Sequence, residues 1–269
     1  MRVDLTAALD RVVDCSLAKM AVNGERLKLW IAYDGRPFRG WQSQASGDAV
    51  QDHVVRAFAT ICGARVVVHG SGRTDAGVHA LGQVAHADVP PTRLTPKTWP
   101  GALNANLPRE IRVLRAQLAP IGFHAQHSAR GKTYVYRIRN TPILHPLELG
   151  RVWLVPGCLD FSAIEAAARL LTGTHDFAGF AANRGYPSGD TVRTIREIRV
   201  TRRNSLVTVR YEGTGFLYKM VRLLTGTLIR CGKGDLPLAG IVELLAQKGA
   251  TKTSFAAPAE GLYLLRVLY

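Results

Sequence analysis

Alternating apolar and polar positions mark the first strand expected in this chain. Leu27, Leu29, Ile31 and Tyr33 fall on one side of a strand that ends at Asp34-Gly35. Apolar residues at helical spacing then predict a helix from Val50, closed by Gly63. The same reasoning predicts strands near 65–69, 81–88 and 111–118 and a helix near 95–105. The first half therefore has the order strand, helix, strand, strand, helix, strand.

The second half repeats this order. It contains a predicted strand at 132–139, a helix capped by Asp160, a hairpin of strands near 192–202 and 205–212, helices at about 216–230 and 237–248, and a strand at 261–269. Two βαββαβ units indicate an α/β (α+β) protein with two ferredoxin-like halves and antiparallel sheets. We expect domains at 25–120 and 121–269, preceded by an N-terminal extension, 1–24. The uncovered sheet faces would form a basic inter-domain cleft, a preferred place for a ligand.

The charge balance favours a polyanionic partner. Lysine and arginine total 35 against 20 acidic residues, which gives a formal net charge of +15. Such an excess favours nucleic acid because each neutralised phosphate releases counterions. A basic surface that serves only solubility is the alternative.

Several common function classes lack their signatures in this sequence. No apolar run approaches the ~20 residues of a membrane-spanning helix, and charged residues interrupt the N-terminus, unlike a signal peptide. The four cysteines form no CxxC pair, and neither zinc-ligand spacing, a P-loop nor a GxSxG elbow is present. We therefore expect a cytoplasmic protein with no membrane partner.

A glycine-rich loop between two apolar runs carries the main chemical candidates. Residues 72–80 read GRTDAGVHA, so Arg73 and Asp75 lie among glycines at the predicted rim of a sheet. One interpretation is a tight turn in which Asp75 caps its own backbone. The other is a nucleophile, since a nearby arginine favours the ionised form of a carboxylate.

Further candidates lie in the second half. Lys219, Arg222, Gly226 and Arg230 share one face of the predicted 216–230 helix, and Tyr134 and Tyr136 would offer stacking surfaces for bases. Arginines at 193, 196, 199, 202 and 203 would suit phosphate contacts. The alternatives are a solvated helix face and a half-buried strand face.

Taken together, these segments resemble the tRNA pseudouridine synthase I (TruA) family. GRTDAGVHA at 72–80 matches its catalytic signature, and KTYVY at 132–136 resembles its RxYxY element, with lysine where arginine is common. FLYKMVR at 216–222 is similar to its FLxxMVR helix. Further colinear similarities lie at 33–35, 40–42, 103–108, 123–129 and 261–264, so the resemblance covers Leu27 to Tyr269.

The resemblance implies a role for each candidate residue. Asp75 corresponds to the catalytic nucleophile, and attack on C1′, attack on uracil C6 and a glycal route all remain open. Tyr134 corresponds to the tyrosine that stacks on the target uracil. Arg222 would pair with Asp75, and Arg73 would fill the space left by the flipped base or hold a phosphate.

The resemblance also implies a substrate and an assembly. The family isomerises uridine to pseudouridine at positions 38, 39 and 40 of the tRNA anticodon stem-loop, as a homodimer, without a cofactor or metal. Two other hypotheses remain: a non-catalytic RNA-binding module of the same fold, and a carboxylate enzyme acting on another glycosidic bond. The latter usually needs a second carboxylic acid, and none lies near Asp75 in sequence.

Overall fold

The structure is a computed structural model that describes residues 24–182, 191–246, 252–253 and 255–269. Residues 1–23 of the predicted N-terminal extension lie outside these ranges. Among the described residues, no helix is both long and apolar enough to cross a membrane.

The first half has the predicted element order. Its elements are β1 (Glu25–Tyr33), α1 (Val50–Cys62), β2 (Val68–Gly70), β3 (His79–Val89), α2 (Trp99–Ala105) and β4 (Ile111–Leu118). Gly63 closes α1 in the left-handed conformation, with φ 67°. The predicted positions of β1, α1 and β4 are confirmed, whereas β2 is shorter and displaced and α2 begins later.

The second half has the predicted main elements and two short additional strands. The elements are β5 (Gly131–Arg139), β6 (Trp153–Leu154), α3 (Phe161–Leu171), β7 (Gly173–Asp176), β8 (Val192–Arg203), β9 (Leu206–Gly213), α4 (Met220–Lys233), α5 (Leu238–Ala246) and β10 (Leu262–Leu268). Asp160 caps α3 as predicted, accepting from the N–H groups of Ser162 and Ala163. The helix predicted from 216 begins only at Met220, because Lys219 has a left-handed backbone with φ 59°.

The strands form one sheet in the order β4-β1-β3-β10-β5-β9-β8-β7, with β2 paired to β3 and β6 to β5. Within the first half the order is β4-β1-β3-β2, and within the second it is β10-β5-β9-β8, so the two βαββαβ units are arranged alike. The mixed α/β class with mostly antiparallel pairing is confirmed.

The two halves share one sheet, and this differs from the two facing sheets that we expected. β10 pairs in parallel with the start of β3, Tyr263 opposite His79 and Leu264 opposite Ala80. β2 covers the same edge of β3 only at residues 85–87, which leaves the start of that edge free for β10. The pattern of apolar residues specifies each strand's faces but not its neighbour, so this junction was not predictable from periodicity.

Candidate active site

The loop between β2 and β3, residues 71–78, is fixed to β3 at its beginning. The Ser71 N–H donates to the Val84 carbonyl at 2.7 Å. The Gln83 side chain, fully buried, accepts from the Ser71 hydroxyl and donates to the Gly72 carbonyl, both at 2.8 Å. These contacts fix the 71–78 loop directly before its arginine and aspartate.

The middle of the loop packs against the segment after β1. The Trp41 N–H donates to the Thr74 carbonyl at 3.1 Å, and the Thr74 and Tyr33 hydroxyls lie 2.8 Å apart. Gly40 has φ +86°, and a Cβ atom there would lie 2.4 Å from the Thr74 carbonyl oxygen. Only glycine permits both this conformation and this approach.

Asp75 begins a turn, but its side chain does not cap that turn. The Val78 N–H donates to the Asp75 backbone carbonyl at 3.1 Å, and Gly77 supplies φ 77°. The carboxylate instead accepts from Arg222: Oδ2 lies 3.0 Å from Nη1. Among the described residues, the Asp75 side chain has no bond to its own backbone, so the interpretation as an ordinary capping aspartate is wrong.

Arg222 is placed by the first turn of α4, 147 residues from Asp75 in the chain. Its Nε donates to the Ala257 carbonyl at 2.7 Å, while the Ala257 N–H donates to the Arg222 carbonyl at 3.0 Å. The two charged side chains are only 15% and 20% exposed. Partial burial strengthens this charge-assisted bond relative to a surface pair, so the carboxylate is oriented from the second half of the chain.

Tyr134 lies on β5 and is almost fully buried. Its ring meets Phe216 edge to face, with centroids 5.1 Å apart. Burial raises the pKa of Tyr134, and the neighbouring Tyr33 and Asp75 side chains add to that effect. The phenol therefore stays protonated and available as a donor. Tyr136, by contrast, belongs to the core, with its hydroxyl donating to the Pro258 carbonyl.

Arg73 is exposed and, among the described residues, forms no ion pair with Asp75. Its Nε donates to the Gln42 side-chain oxygen at 3.2 Å. The arginine that holds Asp75 is therefore Arg222 and not its neighbour in sequence.

Arg73, Asp75 and Tyr134 line a cleft of about 1090 Å³. The 71–78 loop, Tyr134 and the 216–221 segment form its walls. Arg39, Arg73, Lys132 and Lys219 also line it, and Asp75 is the one carboxylate in the described lining. The cleft therefore suits a negatively charged ligand brought close to a single carboxylate.

Other residues of the sequence prediction lie elsewhere. Gly226 packs against the Phe255 backbone, and α4 is buried on most sides, so the predicted basic helix face does not exist. The β8 arginines lie outside the cleft lining. Sequence reasoning also missed Gln83 and gave Lys132 no role. The signal for Lys132 was its spacing of two from Tyr134, which puts both on one strand face.

No group of three or more histidine, cysteine, aspartate or glutamate side chains is arranged to hold a metal ion in the part of the chain that the structure describes.

Comparisons with known proteins identify the family. A family model described as tRNA pseudouridine synthase matches residues 30–128 and 167–269. The chain is 48% identical over 251 residues to the tRNA pseudouridine synthase A of Akkermansia muciniphila, covering 91% of this chain and 95% of that protein. Proteins with the same name from Syntrophotalea carbinolica and Methylacidiphilum infernorum are 42% and 40% identical, over 90% of this chain and 96% and 94% of theirs. The chain belongs to the tRNA pseudouridine synthase family, whose members are isomerases.

Proposed function

We propose that this chain isomerises uridine to pseudouridine at positions 38, 39 and 40 of the tRNA anticodon stem-loop, with Asp75 as nucleophile. The observation that carries the proposal is Asp75, which lines a basic cleft beside Tyr134 and forms an ion pair with Arg222. Family membership supports the tRNA substrate, and the resemblance of the motifs supports the positions.

The isomerisation requires one carboxylate and no oxidant or reductant. The N1–C1′ bond of uridine breaks, a C5–C1′ bond forms, the C5 hydrogen leaves as a proton and N1 gains one. Asp75 assists by attack on C1′, by attack on uracil C6 or by removing a sugar proton. Each route needs the same oriented carboxylate, which Arg222 holds at 3.0 Å.

The target base must leave the helix stack before it reaches Asp75, at a cost of a few kcal/mol. Tyr134, held edge-on by Phe216, offers the face on which the uracil stacks. Arg73 fills the space left by the flipped base or holds a phosphate, and its exposure at the cleft, with Nε donating to Gln42, supports this role. The roles of Tyr134 and Arg73 are part of the proposal.

Two further features extend the proposal. The segments 25–120 and 121–269 act as two lobes of one catalytic unit, which the shared sheet supports. The protein works in the cytoplasm. It acts as a homodimer, because two subunits combine their basic surfaces along a tRNA. Light scattering on the purified protein, alone and with tRNA, measures the oligomeric state.

Tritium release from tRNA labelled at uridine C5 tests the catalytic assignment. The wild type should release tritium, and Asp75→Asn should release none while binding tRNA with a Kd within about threefold of the wild type. Asp48→Asn, which removes an exposed carboxylate outside the cleft, is the matched control and should behave as wild type.

The outcomes separate the hypotheses. Release by Asp75→Asn with intact binding would refute the nucleophile. Binding of tRNA without release by the wild type would favour a non-catalytic RNA-binding module. Tritium release only from uridines outside positions 38, 39 and 40 would refute the assigned positions.

A further inference from the structure

Lys132 connects the two halves at the cleft. It lies on β5 two residues before Tyr134, on the same strand face. Its Nζ donates to the Ser71 carbonyl at 2.8 Å, across 61 residues of chain. The lysine therefore reaches the loop that carries Asp75 from the opposite half.

The ammonium of Lys132 has more donors than the described protein satisfies. A lysine ammonium offers three N–H groups, and the Ser71 carbonyl accepts from one of them. Among the described residues, no carboxylate lies within ion-pair distance of it. Burial lowers the pKa of Lys132, as expected for a cation with no counter-ion nearby. An anion arriving in the cleft would offset that cost.

The backbone of the 71–78 loop passes directly over this ammonium. A Cβ atom at Gly72 would lie 2.5 Å from Nζ and 3.3 Å from Cε. The absence of a side chain at Gly72 thus leaves room for the Lys132 ammonium, and this glycine does not have a positive φ angle. Lys132 also lines the cleft together with Arg73 and Asp75.

We propose that the Lys132 ammonium binds a phosphodiester oxygen of the RNA next to the flipped uridine while it donates to the Ser71 carbonyl. The proposal rests on the proposed RNA substrate. A phosphate fits better than a base edge because the lysine ammonium is a compact point charge without the planar fork that reads bases in pairs. The contact also joins substrate binding to the loop that carries Asp75.

The salt dependence of tRNA binding tests for a phosphate contact. Each phosphate contact contributes roughly 0.7–0.9 to the slope of log Kd against log salt concentration. Lys132→Gln and Lys132→Met should lose about one such increment and weaken binding about tenfold at low salt. Lys132→Arg should keep both values. Arg130→Gln removes an exposed cation outside the cleft lining and should leave the slope unchanged.

A neutral backbone linkage locates the contact. In an anticodon stem-loop RNA, a single methylphosphonate on the 5′ or 3′ side of the target uridine removes one phosphate charge. At one of these linkages the wild type should lose about tenfold in affinity and Lys132→Gln less than twofold. Equal losses in both proteins at both linkages, or an unchanged salt slope in the two neutral variants, would overturn the proposal and leave Lys132 as support for Ser71 alone.

Failure here is distinguishable from failure of the proposed function. Tritium release by the wild type tests the isomerase independently of these binding measurements. Using two neutral variants, with thermal unfolding of each, keeps the test valid if one of them folds poorly.

Discussion

Gly40→Ala should displace the aspartate without touching any proposed catalytic side chain. The added methyl would lie 2.4 Å from the Thr74 carbonyl oxygen and 3.0 Å from the Asp75 carbonyl carbon. Ordinary contact begins near 3.4 Å, so relief requires the Thr74–Asp75 peptide to move by about 1 Å. The Trp41 N–H bond to Thr74 resists that movement.

The expected loss has two parts. A left-handed alanine costs about 1 kcal/mol of stability, which lowers Tm by about 3 °C in a protein of this size. A shift of about 1 Å at a reacting group costs about 10²-fold in rate, or about 2.7 kcal/mol. The kinetic part depends on Asp75 being the group that reacts.

Gly63→Ala separates the two parts. Gly63 also has a left-handed backbone, with φ +67°, but a Cβ atom there would meet nothing within 4 Å. It should show the loss in Tm and keep the wild-type kcat. The assay is single-turnover tritium release at saturating tRNA, with Tm from thermal unfolding. A kcat for Gly40→Ala within about threefold of that for Gly63→Ala would refute the steric reasoning.

Three further variants test neighbouring parts of the site and the fold. Arg222→Lys should lower kcat about 10–100-fold, because a lysine ammonium cannot bind the Asp75 carboxylate and the Ala257 carbonyl at the same time. An unchanged kcat in the same assay would contradict this. Tyr134→Phe should keep the Kd for tRNA, because the ring is retained, but lower kcat about 10²-fold, because the buried, protonated phenol donates in the reaction; an unchanged kcat would assign Tyr134 to stacking alone. Burial lowers the pKa of His86 to about 4, so on acidification the unfolded chain takes up this proton at a higher pH than the folded protein does. The free energy of unfolding should therefore fall as the pH is lowered from 6.5 to 4. Urea unfolding should show a weaker pH dependence for His86→Asn, whose amide oxygen can accept from the Ala125 N–H; an identical dependence would contradict the assignment.

Local sequence patterns predicted most of the elements because each depends on nearby residues. Asp160 and Gly63 mark helix ends whose backbone groups they satisfy within a few residues. The hairpin at Arg203-Asn204 is confirmed, with Asn204 at φ 53°. The Arg222–Asp75 contact was expected only through the family resemblance, since nothing local joins residues 147 apart.

The unpredicted features are those set by long-range packing. The basic face expected on α4 followed from helical spacing, but other elements cover that helix on most sides. Lys132 was noted only as the lysine that replaces arginine in the family motif and was given no role, because a lone lysine on a strand is usually solvated. The position of Lys132 beneath the 71–78 loop results from the tertiary fold, which local sequence patterns do not predict.

The single sheet also bears on how the site is held before a substrate arrives. β10 lies between β3 and β5, so the strand leading out of the 71–78 loop and the strand carrying Tyr134 flank the same neighbour. His79 strengthens this junction: its Nδ1 accepts from the Gly35 N–H, and its Nε2 donates to the Gly150 carbonyl of the second half.

The Asp34–Arg151 ion pair adds a further link between the halves at 3.0 Å. With one sheet, β10 joins the strand that follows the 71–78 loop to the second half, and Asp75 and Arg222 are in contact at 3.0 Å. The fold thus orients the carboxylate through Arg222, and under the proposed function the binding energy of the RNA serves to extract and hold the base.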